Sequence, residues 1–202
     1  IYQAPRFSED LDFTVELREK EFLSFILTVF EDIKKEESLQ FKEKKTIAGK
    51  RFLLAASTQD LPYKIFINLD FSFREKVLEP QKDIIKVEDY PLLFTNYVVH
   101  LSKEEIFAEK IRAIMTRKKG RDLYDLWYLA NLGVSFKELL VREKLKYYKL
   151  ENTNISQIIK RVDSFTEKEF ITDVQPFVPI PEREKLPQFY AYLKDYLKKY
   201  LS

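Results

Sequence analysis

The chain has 202 residues, 45% of them hydrophobic, which is enough for one mixed domain or two small domains with their own cores. It contains no cysteine, which excludes disulfide bonds and cysteine-based zinc sites. A single histidine excludes a histidine metal cluster and argues against a Ser-His-Asp triad. The 35 Lys and Arg residues nearly balance the 33 Asp and Glu residues, so a net charge of +2 does not by itself indicate a nucleic-acid partner.

The hydropathy pattern argues against a membrane protein. No apolar run approaches the roughly 20 residues that a membrane-spanning helix needs, and no segment resembles a signal peptide. We therefore expect a cytoplasmic protein that does not contact a membrane. The chain begins Ile-Tyr-Gln-Ala-Pro without an initiating Met, so we expect that part of the natural N-terminal region is missing.

The first half of the chain has the pattern of an α+β fold. Apolar and polar residues alternate over residues 9–17, which is the period of a strand with one apolar face. Residues 19–36 carry a broad apolar stripe at helical spacing and predict a helix. Further strands are predicted near residues 38–46, 51–57, 64–72 and 96–101.

The second half of the chain has the pattern of helices. Ser102 followed by Glu105 is a capping-box sequence that predicts a helix to about residue 118. Four prolines between residues 176 and 187 predict an extended connector. The other predicted helices cover residues 121–132, 135–149, 154–172 and 187–201. We therefore predict an α+β core over residues 1–101 and a helical domain over residues 102–202.

The last predicted helix carries many aromatic residues. We expect its aromatic face to pack in the core rather than to stack on nucleobases. The residues of this face are Phe189, Tyr192, Leu193, Tyr196, Leu197 and Tyr200.

Asp10 and Asp12 are the first candidate site residues. Residues i and i+2 of a strand point to the same face, with Cα atoms roughly 7 Å apart, so both carboxylates can converge on one or two magnesium ions. Magnesium prefers oxygen ligands and retains waters, so few protein carboxylates suffice. An ordinary solvated strand face would have the same pattern. Asp70, at the end of a later predicted strand, is either a third metal-binding carboxylate or an edge residue that faces water.

Lys110 and Arg117 form the second candidate group. They lie seven residues apart, two turns along one face of a predicted helix, where an ammonium and a guanidinium group can bind phosphate oxygens. A solvated surface helix with Glu-Lys pairs would give the same pattern. Asp122 and Asp125 follow near the start of the next helix. They either cap that helix or orient Lys110 or Arg121 in a site.

Three segments in this order resemble the AbiEii/AbiGii toxin family, whose members are nucleotidyltransferases of the DNA-polymerase-β-like superfamily in phage-defence toxin–antitoxin pairs. The resemblance covers roughly residues 5–130. The segments are Pro-Arg-Phe-Ser-Glu-Asp-Leu-Asp-Phe at 5–13, Ile-Phe-Ala-Glu-Lys-Ile-Arg-Ala-Ile-Met-Thr-Arg at 106–117 and Gly-Arg-Asp-Leu-Tyr-Asp-Leu at 120–126. The implied fold is a mixed nucleotidyltransferase-type sheet with flanking helices, followed by a helical C-terminal region.

The resemblance also implies roles for individual residues. Ser8, Asp10 and Asp12 match the family's Ser-x-Asp-x-Asp motif, and the two aspartates would bind Mg²⁺ or Mn²⁺. Lys110 matches a lysine that contacts the nucleotide phosphates. Asp122 and Asp125 match an Arg-Asp-x-x-Asp motif in which an acid supports catalysis. The predicted nucleotide-binding residues are Arg6, Ser8, Lys110, Arg117 and Arg121, and the predicted metal ligands are Asp10, Asp12 and Asp70.

The resemblance further implies a nucleoside triphosphate as substrate, a tRNA acceptor and an antitoxin protein as partner. Two alternatives stay open at the level of sequence. One is a catalytically degenerate binding module that keeps the fold, and the other is a transferase that modifies a protein or a small molecule. The family's Gly-Gly/Ser motif, expected about a dozen residues before the carboxylates, is absent from this chain.

Overall fold

The computed structural model describes residues 5–57, 62–84 and 97–202, in which contacts separate two compact units. Residues 8–77 form the sheet unit, and residues 5–7 with 78–202 form the helical unit. None of the helices within these ranges has the length and apolar character needed to cross a bilayer.

The sheet unit has a four-stranded sheet covered on one face by a helix. The strands are β1 (Asp10–Thr14), β2 (Leu39–Lys44), β3 (Lys50–Ala56) and β4 (Ile65–Ser72), and the helix is α1 (Glu19–Glu36). The strand order is β1-β4-β3-β2, with β1 parallel to β4 and the other pairs antiparallel. The core of this unit joins the apolar stripe of α1 to one face of the sheet. It consists of Phe22, Ile26, Phe30, Phe52, Leu69 and Phe71.

The predicted elements of this unit are confirmed apart from their ends. The helix covers residues 19–36 as predicted, and acidic residues in its first turn and lysines in its last turn favour the helix dipole. β1 ends at Thr14, before the predicted end at residue 17. The reason is its partner: β4 ends at Ser72, the residue paired with Thr14.

The helical unit contains one short hairpin and six α-helices in the described ranges. The hairpin pairs β5 (Pro80–Asp83) with β6 (Val98–Leu101) in antiparallel fashion. The helices are α2 (Lys103–Thr116), α3 (Gly120–Asn131), α4 (Glu138–Lys146), α5 (Ile155–Asp163), α6 (Glu167–Val174) and α7 (Leu186–Leu201). The predicted α+β class is confirmed.

The N-terminus of α2 explains why residues 78–101 belong to the helical unit and not, as in the predicted division at residue 101, to the sheet. Ser102 caps α2 as predicted, since its hydroxyl accepts the N–H of Glu105 at 3.0 Å. Glu105 does not complete the capping box. Its buried carboxylate accepts the backbone N–H groups of Leu78 and Glu79 at 2.9 and 2.6 Å and pairs with Lys144 at 2.5 Å.

Two predicted elements of this unit are wrong, and one strand was missed. The helix expected over 154–172 is two helices, because Thr166 and Glu169 form a capping box that starts α6. The connector expected to be extended contains two 3-10 helices, Gln175–Phe177 and Ile180–Lys185. The strand β5 (Pro80–Asp83) was not predicted.

The face of α7 that packs in the core also differs from the prediction. The buried residues are Leu186, Tyr190, Leu193, Leu197 and Leu201. Of the predicted aromatic face, Tyr192 is 52% exposed, and Phe189, Tyr196 and Tyr200 are only partly buried.

Gly49 tests packing in the sheet unit, and Gly133 in the helical unit is its matched control. Both have positive φ angles, 75° and 74°. A Cβ at Gly49 would lie 2.2 Å from the carbonyl oxygen of Phe71, whereas a Cβ at Gly133 would meet nothing within 4 Å. We expect Gly133→Ala to cost about 1–2 kcal/mol of unfolding free energy through backbone strain, and Gly49→Ala to cost clearly more. Urea unfolding followed by circular dichroism measures both, and equal costs would contradict the close approach.

Candidate active site

The acid pair lies on the face of the sheet opposite α1. The parallel register places Asp10 beside Asn68 and Asp12 beside Asp70, and the antiparallel register places Arg51 beside Asp70. Side chains at paired positions share a face of the sheet. The alternate residues of β4 face the core against α1. Three carboxylates, one amide and one guanidinium group therefore share the outer face.

Neighbouring strands hold two of these carboxylates. The side-chain amide of Asn68 donates to Asp10 Oδ1 at 2.9 Å. Arg51 donates from Nε and Nη2 to the two oxygens of Asp70 at 2.5 and 2.7 Å. The hydrogen bond to Asp70 raises the pKa of Arg51, and the charges of Asp70, Asp10 and Asp12 raise it further against the effect of burial. Arg51 therefore lies in the electrostatic field of all three acids.

The donor set of this face suits a hard divalent cation. Within residues 5–57, 62–84 and 97–202, no group of three or more His, Cys, Asp or Glu side chains could hold a metal ion. Asp70 forms a two-point ion pair with Arg51, so the carboxylates of Asp10 and Asp12 form the core of a candidate metal site. Two carboxylates fit Mg²⁺ because this ion retains several waters, and Mn²⁺ accepts the same oxygen ligands. Ser8 lies next to the pair, and its hydroxyl donates to the carbonyl oxygen of Asp10 at 3.3 Å.

Most of the remaining predicted residues meet in a second cluster, within the helical unit. Asp125 accepts two hydrogen bonds from Arg6, at 2.6 and 2.7 Å, and pairs with Lys110 at 2.7 Å. Asp122 accepts two from Arg117, at 2.7 and 2.9 Å, and contacts Lys110 at 3.4 Å. Lys110 thus joins the two carboxylates. We call these five residues the ion-pair cluster.

The ion-pair cluster carries a surplus of positive charge. Asp122 and Asp125 are buried, whereas about a quarter of the Lys110 side chain is exposed. Burial of Asp122 opposes its ionisation, but the hydrogen bond from Arg117 and the charges of Lys110 and Arg117 outweigh it and lower the pKa of this carboxyl. In this cluster three cationic side chains therefore contact two carboxylate groups. The surplus charge suits an anionic ligand such as a phosphate group.

Arg121 lies outside the ion-pair cluster. Its guanidinium group stacks on the ring of Phe177 at 4.1 Å and lies 3.8 Å from a carboxylate oxygen of Asp173. Of the two partners considered for Asp122 and Asp125, Lys110 is the one that they contact. The interpretation that they orient Arg121 is wrong, because Asp173 and Phe177 hold this side chain.

Arg51 and Asn68 were missed by the sequence analysis. A signal for them existed, because the predicted strands over 51–57 and 64–72 contain both residues. Their significance depends on strand order and register, which the local pattern does not specify. Only the pairing of β4 with β1 and β3 places them beside the acids.

Comparison with known proteins identifies the family. The sequence model of the family described as "Nucleotidyl transferase AbiEii toxin, Type IV TA system" matches residues 1–199. The chain belongs to this family. It is accordingly a nucleotidyltransferase of a toxin–antitoxin type, which confirms the resemblance carried by the three motifs.

Two solved structures are similar to this chain. MenT4, a nucleotidyltransferase toxin from Mycobacterium tuberculosis, is 20% identical over 97% of this chain and 72% of its own, with a TM-score of 0.60. JHP933 from Helicobacter pylori is 20% identical over 99% of this chain and 79% of its own, with a TM-score of 0.49. No curated protein matches the sequence. The MenT4 likeness supports the nucleotidyltransferase fold of this member of the AbiEii family.

The ion pair of Asp122 predicts how stability depends on pH. A carboxyl whose pKa is lowered by folding stabilises the native state above its ordinary pKa of 3.8, and this contribution is lost as the pH falls through the folded-state value. We expect Asp122→Asn to cost about 1.5–3 kcal/mol at pH 7, because it removes the charge-assisted hydrogen bonds from Arg117. We also expect the variant to lose less stability than the wild type as the pH falls.

Urea unfolding of the wild type and the variant between pH 3 and pH 7 measures this difference. Asp195→Asn is the matched control, because the side chain of Asp195 is 72% exposed and a surface pair is worth about 0–1 kcal/mol. An Asp122→Asn protein with wild-type pH dependence would contradict the assignment.

Proposed function

We propose that this AbiEii-family protein transfers a nucleoside monophosphate from a nucleoside triphosphate to a hydroxyl of a tRNA, in a reaction that depends on Mg²⁺ or Mn²⁺. The observation that supports the proposal best is the paired position of Asp10 and Asp12 on the open face of the sheet. In addition, the side-chain amide of Asn68 donates to the carboxylate of Asp10. An acid on an ordinary solvated strand face would not need such a partner. The family assignment supports a nucleotide as substrate.

Asp10 and Asp12 are the proposed metal ligands, with Asp70 as a further ligand if it exchanges Arg51 for the ion. The chemistry that a bound divalent cation supplies is neutralisation of phosphate charge and a lower pKa for the attacking hydroxyl. Asn68 holds the Asp10 carboxylate in place through its hydrogen bond, which limits the reorganisation needed on binding.

Lys110 is the proposed ligand of the nucleotide phosphates, with Arg117 and Arg6 beside it. Asp122 and Asp125 act by positioning, because each carboxylate contacts Lys110 and accepts two hydrogen bonds from an arginine. Arg121 and Ser8 are proposed as further nucleotide contacts. Such groups contribute electrostatic stabilisation and positioning, which dominate phosphoryl-transfer catalysis.

The proposed reaction breaks one bond and forms one. The acceptor hydroxyl oxygen forms a bond to the α-phosphorus, and the bond from this phosphorus to the bridging oxygen of the β-phosphate breaks. Pyrophosphate leaves, and the hydroxyl proton passes to water. The product is an RNA that carries one additional nucleotide, which would block its use in translation.

The proposed setting is a toxin–antitoxin pair for phage defence in the cytoplasm. The family's description as a toxin of a type IV system supports an antitoxin protein as partner. A transferase that acts on a protein or a small molecule would have the same acid pair. The acceptor therefore has to be identified by experiment.

Asp12→Asn tests the acid pair. We expect this substitution to lower transfer by orders of magnitude, because it removes one of two proposed ion ligands and leaves the fold intact. The assay measures incorporation of labelled nucleotides into purified tRNA. Asp32→Asn is the matched control, since the Asp32 side chain lies on α1 and is 63% exposed, and it should keep wild-type activity. An active Asp12→Asn enzyme would overturn the assignment.

The same assay in a total cell extract identifies the class of acceptor. Label in RNA supports the proposal, and label in protein would contradict the tRNA acceptor while keeping the transferase. Calorimetric titration with Mg²⁺ and each nucleotide tests the degenerate alternative. If the protein binds RNA but neither binds nor transfers a nucleotide, it is a binding module.

Lys110→Gln tests the phosphate contact. We expect it to lower kcat/KM for the nucleotide roughly tenfold to a hundredfold, because a hydrogen bond to a charged group is worth about 1.5–3 kcal/mol. Steady-state kinetics with varied nucleotide measure the change. Lys146→Gln is the control, since this α4 side chain is 67% exposed. If both variants keep wild-type kinetics, Lys110 does not contact the phosphates.

A further inference from the structure

A cavity of about 580 Å³ lies within the helical unit, between α3, the start of α7 and the segment before it. This volume falls in the range of roughly 300–1,000 Å³ typical of small-molecule sites. Three aromatic residues, Tyr124, Phe189 and Tyr192, contribute to its wall. Neither the acid pair nor the ion-pair cluster lines it, so the roles proposed above for these residues leave the cavity unassigned.

The aromatic rings of the wall are tilted against each other. The ring centroids of Tyr124 and Phe189 are 5.6 Å apart with an interplanar angle of 56°. The ring of Trp127 contacts the rings of Phe189 and Tyr192 edge-on, with centroid distances of 4.7 and 6.5 Å. Tyr192 is 52% exposed. A half-exposed aromatic ring in a cavity wall is a surface on which a flat ligand can stack.

Polar side chains complete the lining. Gln188 supplies amide donors and a carbonyl acceptor, and Glu182 pairs with Lys185 at 3.0 Å. An apolar cavity with a few donors and acceptors suits a planar heterocycle whose edge can form hydrogen bonds. A purely aliphatic ligand would leave these groups unused.

The cavity adjoins the ion-pair cluster along the chain. Two of its lining residues, Pro5 and Tyr124, directly precede Arg6 and Asp125, which form a two-point ion pair. The Arg6–Asp125 ion pair of the cluster therefore lies close to Tyr124 in the aromatic wall. A ligand that joins a flat ring to phosphate groups matches both features.

We propose that this cavity binds the nucleobase of a ribonucleotide, with the base stacked against Tyr192 and its edge facing Gln188. The assignment of this base to a reactant rests on the proposed function, in which two reactants carry a base. The base belongs either to the incoming nucleoside triphosphate or to the end of the acceptor RNA.

Trp127 is the single tryptophan of the chain and contacts two aromatic residues of the wall, so its fluorescence reports on the cavity. The probes are adenosine, guanosine, cytidine and uridine, with inorganic triphosphate as the control. We expect at least one nucleoside to change the Trp127 emission saturably and inorganic triphosphate to leave it unchanged. No response to any of the four nucleosides would overturn the proposal.

Tyr192→Ala should weaken nucleoside binding roughly tenfold, as expected for loss of one base–aromatic stack, and Tyr192→Phe should retain binding. Tyr147→Ala is the matched control, because Tyr147 is 59% exposed and does not line the cavity. Wild-type affinity in Tyr192→Ala would show that the nucleoside binds elsewhere and would contradict the site.

Transfer kinetics of Tyr192→Ala separate the two sources of the base. A higher KM for the nucleotide alone supports the nucleotide base, a higher KM for the RNA alone supports the acceptor base, and no change in either overturns the proposal. Nucleosides carry no phosphate and need neither the acid pair nor a metal ion. The fluorescence titration therefore keeps its meaning if transfer to RNA is not found, and failure of one proposal does not imply failure of the other.

Discussion

The parallel pairing of β1 with β4 is the constraint on which the acid pair depends. It places Asp12 beside Asp70 and leaves Phe71 on the opposite face, in the core against α1. A slip of one residue would exchange the two faces of β1 and move both of its acids away from Asn68, Asp70 and Arg51. The acids would then lose the amide and guanidinium groups that share their face of the sheet. The register of β1 on β4 therefore decides whether the acid pair and its polar partners lie together.

Two charged clusters of the helical unit differ in how far their cations are buried. Lys144 is almost fully buried between Glu105 and Glu109, and Glu105 also binds two backbone N–H groups. These groups hold the β-hairpin segment to α2. In the ion-pair cluster, by contrast, Lys110 and Arg117 keep part of their surface exposed. The phosphate that we propose to bind there would therefore reach these cations without the cost of opening the core.

The sequence predicted local structure well where one element packs against a single core. The apolar stripe of α1 and the alternation in β3 and β4 indicate which face of each element is buried. The predicted bounds of these three elements were therefore correct to within one or two residues. It failed where a local signal competed with another, as at Thr166, whose capping box interrupts an otherwise helical pattern. It also failed in α7, because packing rather than aromatic content decides which face is buried.

By itself the sequence determined the fold class, the family through its three motifs, and the candidate acids, since residue spacing alone places Asp10 and Asp12 on one face of a strand. Only the tertiary structure decided the partners of these residues. It shows that Asp125 binds Arg6, 119 positions away along the chain, and that Asp70 binds Arg51. Arg121 packs on Phe177 instead of contacting these acids. The reason is physical: spacing along one element sets the direction of a side chain, whereas its partner is set by strand register and helix packing between distant segments.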